Sequence, residues 1–408
     1  MTSKKNIVII SLDEVRPDHL GCYGYDLAKT PAIDRIAGEG IRFSTCISAS
    51  DFTPVALSSV ISGLYPNKHG FRDAYSRFRA TTLAEILMRH GYRTAAFVGN
   101  NLLSNEAGHS RGFQHWREAT DDTAWDIAQY DERAPKVCIG YYWVDDFFLW
   151  LKRNYDVPFF LWGHLLETHE GSEGMLLSRH LISEGVMSEF GYYDAKIAMA
   201  DQVLIGPLLH ALSELGIAEN TIVVVMSDHG TNLGEHSADP IPWRSSGKTY
   251  PQHTTLYDHD LRAVLIFRGP GIEGRGDEIR GLVRSIDIAP TLLDLVGIAR
   301  PSEGHPFDGQ SLLQTIQEGS VVGRTAYAED LFEPRGRGAL QAWRTERFKY
   351  IRNLTLGTEE YYDLGSDPAE QENIVSTIDE DSLRSVRSTL NRLLESAAEP
   401  EPNRHVRL

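Results

Sequence analysis

Short apolar, β-branched runs recur along the chain, separated by segments whose apolar residues return every three or four positions. NIVIISL (6–12), TAAFVG (94–99), PFFLWGHL (158–165) and TIVVVMS (221–227) have the pattern of strands buried on both faces of a sheet. TPAIDRIAGEG (30–40) and TTLAEILMRH (81–90) begin with threonine and stop at glycine, as helices do. Residues 192–215 place Ile197, Met199, Val203, Leu204, Leu208, Leu209 and Leu212 along one side of a long amphipathic helix. Such alternation predicts an α/β fold in which a mostly parallel central sheet lies between helices. Within 118–157, YYWVDDFFLWLKRNY crowds aromatics into a helix-like segment, read as core or a subunit interface, with a substrate wall as the other reading.

The stretch DFTPVALSSVISGLYPNKHG (51–70) predicts a buried helix. Pro54 suits the first helical position and Thr53 reads as the N-cap. Val55, Leu57, Val60 and Ile61 follow at helical spacing, and Gly63 marks the stop. A hydroxyl at that helix start also sits where the dipole would draw an anion. Two of the strand runs end in acids: Asp13 and Glu14 follow the first, and Asp228, His229 and Gly230 follow TIVVVMS. In open α/β sheets ligands bind at the carboxyl ends of strands. Carboxylates with an adjacent imidazole are the donor types of a divalent-metal site.

Length, charge and cysteines narrow the picture. A chain of 408 residues, 41% hydrophobic and 24% charged, suits one large domain with a smaller one appended. After Asp308 the composition shifts: 325–365 reads as short strands, 379–397 as a helix, and EPEPNRHVRL as a frayed tail. The expected boundaries are a catalytic domain over 1–322 and a small C-terminal subdomain over 323–408. A formal charge of −17 disfavours nucleic acid and anionic membranes as partners, so an anionic substrate needs locally positive help such as metal ions. Cys22, Cys46 and Cys138 are odd in number and unpaired in spacing, which argues for free thiols in a reducing compartment. No run approaches the roughly 20 apolar residues of a membrane span, and the N-terminus lacks a cleavage pattern. The expectation is a cytoplasmic protein, with assembly into a homo-oligomer left open.

The order of NIVIISLDEVRPDHLGCYGY, SGLYPNKHG, SDHGTNLGEH, TTLYDHDLRAVLIFRGPG, VRSIDIAPTLLDLVGI, RFKYIRN and EEYYDLGSDPAEQENI resembles the sulfatase-like branch of the alkaline phosphatase superfamily over nearly the whole chain. The resemblance implies an alkaline-phosphatase-like α/β fold with a small C-terminal antiparallel α+β subdomain. It places the nucleophile on Thr53 and the metal ligands on Asp13, Asp228 and His229, with Glu14 where many members carry a second Asp. His169 corresponds to a histidine facing the substrate or a second metal. His253 stands where sulfatases usually have a Lys, and Asn100 lies near a polar substrate contact.

The departures are as informative. Sulfatases of this branch convert Cys or Ser in a C-x-P-x-R motif to formylglycine, whereas these five residues are TPVAL, with Leu57 in place of the Arg. The resemblance therefore points to an unmodified threonine that attacks directly after activation by a metal. An imidazole in the ligand set favours Mn or Zn over Ca. One or two ions are expected, the second drawing on Glu167, His169, His236 and His253, which could equally contact substrate. The expected activity is hydrolysis of a small anionic phosphate mono- or diester, or a phosphonate monoester, through a phosphothreonine, with phosphoryl substrates outperforming sulfuryl ones. The alternatives are a sulfuric ester hydrolase using unmodified Thr53 and a silent binding protein. Lys248, His180 and His210 read as surface or structural residues, and the Pro/Ser/Gly-rich 237–252 as a specificity loop.

Overall fold

A computed structural model describes residues 4–118, 143–169, 191–236, 255–272, 274, 276–300, 306–321, 323–332 and 338–395. Among these, nine strands form the central sheet: β1 (Asn6–Leu12), β2 (Ile41–Ile47), β3 (Arg93–Val98), β4 (His115–Glu118), β5 (Phe159–Leu165), β6 (Thr221–Ser227), β7 (Arg262–Ala263), β8 (Leu265–Arg268) and β9 (Asp277–Arg284). The order β4-β3-β5-β1-β6-β8-β2-β7, with β9 also pairing β2, puts β1 at the centre. The first five strands in that order are mutually parallel, while β8 runs antiparallel to both β6 and β2. Every residue of β1, β5 and β6 is buried, as their unbroken apolar runs require.

Helices α1 (Pro31–Glu39), α2 (Thr53–Ser62), α3 (Leu83–Arg89) and α4 (Val144–Asn154) lie against two apolar layers. One contains Ile7, Ile9, Leu57 and Leu87; the other contains Val8, Ile10, Ile36 and Phe147. Alternate side chains of β1 thus enter opposite layers. Trp143, Phe147 and Leu151 are fully buried, whereas Leu149 and Tyr155 are exposed, so one face of the described part of the aromatic segment is core. The long helix of 192–215, here α5, is interrupted: Gly191–Ala200 passes through a π turn, Asp201–Ile205, into Gly206–Glu214. Asp201 at that turn accepts hydrogen bonds from the Ala32 and Ile33 N–H groups at 3.0 and 2.7 Å, capping α1 from a distance where Thr30 makes no side-chain cap.

A second sheet runs β10 (Ala326–Asp330), β11 (Leu340–Arg344), β12 (Phe348–Asn353) and β13 (Thr358–Asp363), antiparallel throughout. One face packs with Ile47 of β2, Leu282 of β9, and Leu256 and Leu261 in a third apolar cluster. The other receives Leu383, Val386 and Leu390, which follow helical spacing on α7 (Glu380–Glu395); α6 (Ile288–Leu295) packs in the main core. No helix among the described residues is long and apolar enough to cross a membrane.

Behind α2 sit two buried imidazoles. Ser59 Oγ donates to the Val55 carbonyl at 3.1 Å and lies 2.9 Å from His69 Nε2. Because His69 Nδ1 accepts the Phe71 N–H at 3.1 Å, the ring is neutral with its proton on Nε2. Ser58 Oγ lies 2.9 Å from His109 Nε2. Burial pushes both imidazoles down to about 3. Between that value and the unfolded value near 6.5, the unfolded chain binds more protons, so stability rises with pH by about 1.4 kcal/mol per unit for each ring. Acidification from about pH 7 to about pH 5 is expected to cost less in His109→Gln than in the wild type, by about 2 kcal/mol in chemical denaturation. An equal loss in both would contradict the neutral buried ring.

Candidate active site and metal-binding residues

Strand register assembles the site. Leu12 pairs with Leu165 on one side and Ser227 on the other, so the residues that follow all three strands emerge at one edge. Asp13 N–H donates to Leu165 O at 3.0 Å and Asp228 N–H to Leu12 O at 3.4 Å. Glu14 then takes a left-handed backbone, φ 58°, rare for a residue with a side chain. Tyr193 OH holds this turn, donating to Glu14 O at 2.6 Å and accepting the Arg16 N–H at 2.8 Å.

Helix α2 brings Thr53 to the same edge. The expected N-cap role is not what forms: Phe52 is the capping residue, without a side-chain cap, and Thr53 is the first helical residue. Its hydroxyl is directed elsewhere, donating towards Asp13 at 3.4 Å (Oδ2) and 3.5 Å (Oδ1) and lying 3.2 Å from His229 Nε2. The helix stops at Gly63, which is left-handed at φ 66° and whose missing Cβ would meet the Phe307 ring at 2.7 Å.

The His229 ring is oriented by its own turn. Nδ1 lies 2.7 Å from Gly230 O, which places the proton there and leaves the Nε2 lone pair facing Thr53. Asp228 divides its oxygens: Oδ1 accepts the Glu14 and His229 N–H groups at 3.0 and 2.8 Å, while buried Oδ2 has no hydrogen bond among the described residues. Asp13, Asp228 and His229 each offer a donor atom within 4.8 Å of the others, and so do Asp13, Glu14 and His169.

Charge among these buried groups is unbalanced. Burial, then the Asp13 charge, pushes Asp228 above the usual carboxylate range. Burial works the same way on Asp13, but its His164 hydrogen bond and the neighbouring imidazoles hold it below that range. Burial opposes a charge on His229, yet the Asp228, Asp13 and Glu14 carboxylates raise it. Convergent carboxylates, a lone-pair nitrogen and a buried oxygen without a hydrogen bond are the donor set a divalent cation needs. The residues present fit such an ion.

Of the residues expected at the site, Asp13, Glu14, Thr53, His169, Asp228 and His229 come together. His169 is the more open of them, its side chain 34% exposed and Nε2 3.2 Å from Glu14 Oε1. The expected set for a second ion does not converge among the described residues. Glu167 is buried but joins neither metal-capable group. His236 Nε2 instead meets Glu370 O at 2.8 Å, with its ring stacked on Tyr257 at 4.0 Å. Asn100 turns its Oδ1 back to the Leu102 N–H at 2.9 Å, closing a local turn. His210 is exposed. His253, His180, Lys248, Cys138 and the stretch 237–252 lie outside the described residues.

Sequence reasoning missed three supports. His164, within β5, is fully buried with Nε2 3.4 Å from Asp13 Oδ2 and Nδ1 3.0 Å from Ser11 Oγ; the signal was an imidazole inside an apolar run. Asp51 and Asp260 are both fully buried, and burial followed by the Asp51 charge pushes Asp260 up to about 7. Acids flanking the nucleophile and the turn after Tyr257 carry no periodic signal that would pair them.

A sequence profile of the sulfatase family matches residues 5–298. The chain belongs to the sulfatase family. A second profile, described as N-sulphoglucosamine sulphohydrolase, C-terminal, matches 248–399. An ulvan-active sulfatase of Formosa agariphila is 28% identical, covering 96% of this chain and 81% of the relative. An N-acetylglucosamine-6-O-sulfatase of Bacteroides thetaiotaomicron is 23% identical, covering 91% and 83%. Among solved structures, one in complex with its substrate D-glucosamine-2-N,6-O-disulfate superposes with a TM-score of 0.72 at 21% identity, over 96% of this chain and 97% of the other. The phosphonate monoester hydrolase of Agrobacterium radiobacter gives 0.72 at 19%, over 96% and 95%. At these identities the structural likeness shows the fold.

These relatives overturn the expectation of a phosphate or phosphonate ester substrate, because the curated proteins matching over nine-tenths of the chain are named sulfatases. That expectation let the missing formylglycine motif decide the transferred group. The nucleophile's identity governs how a covalent adduct is released, and leaves open which ester the pocket accepts. Sulfatase-family proteins generally use a divalent metal, and the two carboxylate and imidazole groups at the sheet edge are this chain's candidates for holding it.

Proposed function

We propose that this chain is a divalent-metal-dependent sulfuric ester hydrolase acting on a small anionic sulfated sugar, with unmodified Thr53 as the nucleophile. The observation that carries the reading is the placement of Thr53 Oγ1 at the head of α2, 3.2 Å from His229 Nε2 and 3.4 Å from Asp13 Oδ2, among the metal-capable donors. Asp13, Glu14, Asp228 and His229 would hold the ion, and the nitrogen donor favours Mn or Zn over Ca. When bound, the metal lowers the pKa of the threonine hydroxyl and draws charge from the sulfuryl oxygens.

The chain's own residues carry the proton and group transfers. Thr53 Oγ1 donates its proton towards Asp13 Oδ2 and forms a bond to sulfur as the bond to the sugar oxygen breaks. His169, partly open to solvent and beside Glu14, gives the departing sugar oxygen its proton. Water then attacks sulfur and breaks its bond to Thr53 Oγ1. Asp13 returns the threonine proton, the water returns one to His169, and sulfate leaves with the other. Pro54 has no N–H and the Val55 and Ala56 N–H groups donate to Phe52 O, so the help α2 gives the negative sulfuryl oxygens is the positive end of its dipole.

The test is release of inorganic sulfate from sulfated monosaccharides, N-acetylglucosamine-6-sulfate among them, by metal-loaded protein. Chelation is expected to lower the rate by at least about 100-fold, with Mn or Zn restoring more of it than Ca. Metal-loaded protein that releases no sulfate across the panel would leave a binding role and defeat the proposal.

A further inference from the structure

A buried ion cluster joins the second sheet to the segment that follows Tyr257. Lys349 of β12 is fully buried, with Nζ 2.8 Å from Asp258 Oδ1 and 2.9 Å from Glu370 Oε1. The Glu370 contact is an ion pair off hydrogen-bond alignment. Arg344 of β11 adds Nη2 at 2.9 Å from Asp258 Oδ2. Glu370 Oε2 accepts the Asp258 N–H at 2.5 Å, and Glu370 itself is left-handed at φ 55°. A residue with a side chain is held there only when its surroundings over-determine it. Burial opposes the Asp258 charge, but Lys349 and Arg344 hold its carboxyl well below the usual range.

Asp258 opens the short helix Asp258–Leu261, whose carbonyls face the turn after β6. Gly230 N–H donates to Asp260 O at 2.8 Å. A Cβ on Gly230 would lie 2.1 Å from His259 O and 3.2 Å from Arg262 O, so the two backbones touch where only glycine fits. Gly230 O is the acceptor that fixes the His229 ring, and His229 Nε2 faces Thr53. An unbroken series of contacts thus runs from Lys349 through Asp258, the 258–262 segment and Gly230 to His229.

We propose that Lys349 is a positioning residue: through Asp258 and the 258–262 segment it sets the Gly230 turn, and hence the direction of the His229 lone pair at the metal site. Burying an unhydrated ammonium is costly, and holding the second sheet in place does not require it, since its faces already bury Ala328, Ala342 and Ile351 on one side and Tyr350 on the other. The ions add a directional constraint that apolar packing lacks. This rests on the metal-binding part of the function proposed above.

The test is manganese affinity of the full chain, measured by titration calorimetry. Lys349→Met with Glu370→Gln removes one positive and one negative charge together, so no unpaired buried charge remains. With the fold checked by circular dichroism, its dissociation constant is expected to rise about tenfold, the scale of lost outer-shell support. Lys349→Arg, which keeps the cation, should recover most of the affinity, a rescue that a general loss of stability would not show. Gly230→Ala introduces no buried charge and presses directly on the 258–262 backbone; it should weaken binding by a similar factor. A dissociation constant within twofold of the wild type in the folded Lys349→Met/Glu370→Gln double variant, or in folded Gly230→Ala, overturns the positioning role. Wild-type protein that takes up no manganese overturns the metal assignment itself.

Discussion

Replacing Thr53 by alanine is expected to lower turnover of a sulfate ester by about 10⁴-fold, the scale on which loss of an attacking hydroxyl is felt when binding groups remain. The pocket should survive the change. Thr53 is buried, but its hydroxyl caps nothing, and α2 is held from behind by Ser58 with His109 and Ser59 with His69. Metal content should therefore fall far less than activity. Thr53→Ser keeps an attacking oxygen and should retain most of the rate. Rapid quench of the wild type during turnover should reveal one SO₃ group on the peptide containing Thr53. Undiminished turnover by Thr53→Ala would move the nucleophile elsewhere.

Asp228→Asn is expected to weaken metal binding by at least about 100-fold and to take activity down with it. The geometry makes this substitution selective. An asparagine carbonyl oxygen in place of Oδ1 still accepts the Glu14 and His229 N–H groups, which lie 3.0 and 2.8 Å from it in the wild type. The amide NH₂ then occupies the place of Oδ2, the oxygen without a hydrogen bond, and turns a lone pair into a donor where a cation needs an acceptor. The fold at the sheet edge should persist, since β6 pairs through its backbone. Elemental analysis after dialysis checks occupancy; a full complement of metal in Asp228→Asn would remove this carboxylate from the ligand set.

How much of the site was legible follows from where its information lies. Asp13, Glu14, Asp228 and His229 could be found because each directly follows a short apolar run, and a buried parallel strand must end at the ligand edge of its sheet. Thr53 was found through the Thr-Pro start of a helix, although the cap geometry assigned to it was wrong: the acceptors that redirect its hydroxyl, Asp13 and His229, are 40 and 176 residues away. His236 was offered with Glu167, His169 and His253 as a second-metal or substrate contact. Its actual partner, Glu370 O, lies 134 residues later.

The sequence by itself determined the elements and their class. Periodicity belongs to consecutive residues, so buried strands, amphipathic helices and the acids that terminate two of the strands could be read without coordinates. The net charge of −17 likewise implied that any anionic ligand would need local positive help, while the anionic ester itself was implied by the family resemblance. Only the tertiary structure decided which donors share a site, because that depends on register: pairing Leu12 with both Leu165 and Ser227 brings Asp13, Asp228 and His169 to one edge. The His229 tautomer, the Asp228 oxygen left without a hydrogen bond and the dependence of that turn on Lys349, more than 100 residues further along, arise from contacts between distant segments. No local pattern encodes such contacts, since the free energy that selects them comes from packing the whole sheet at once.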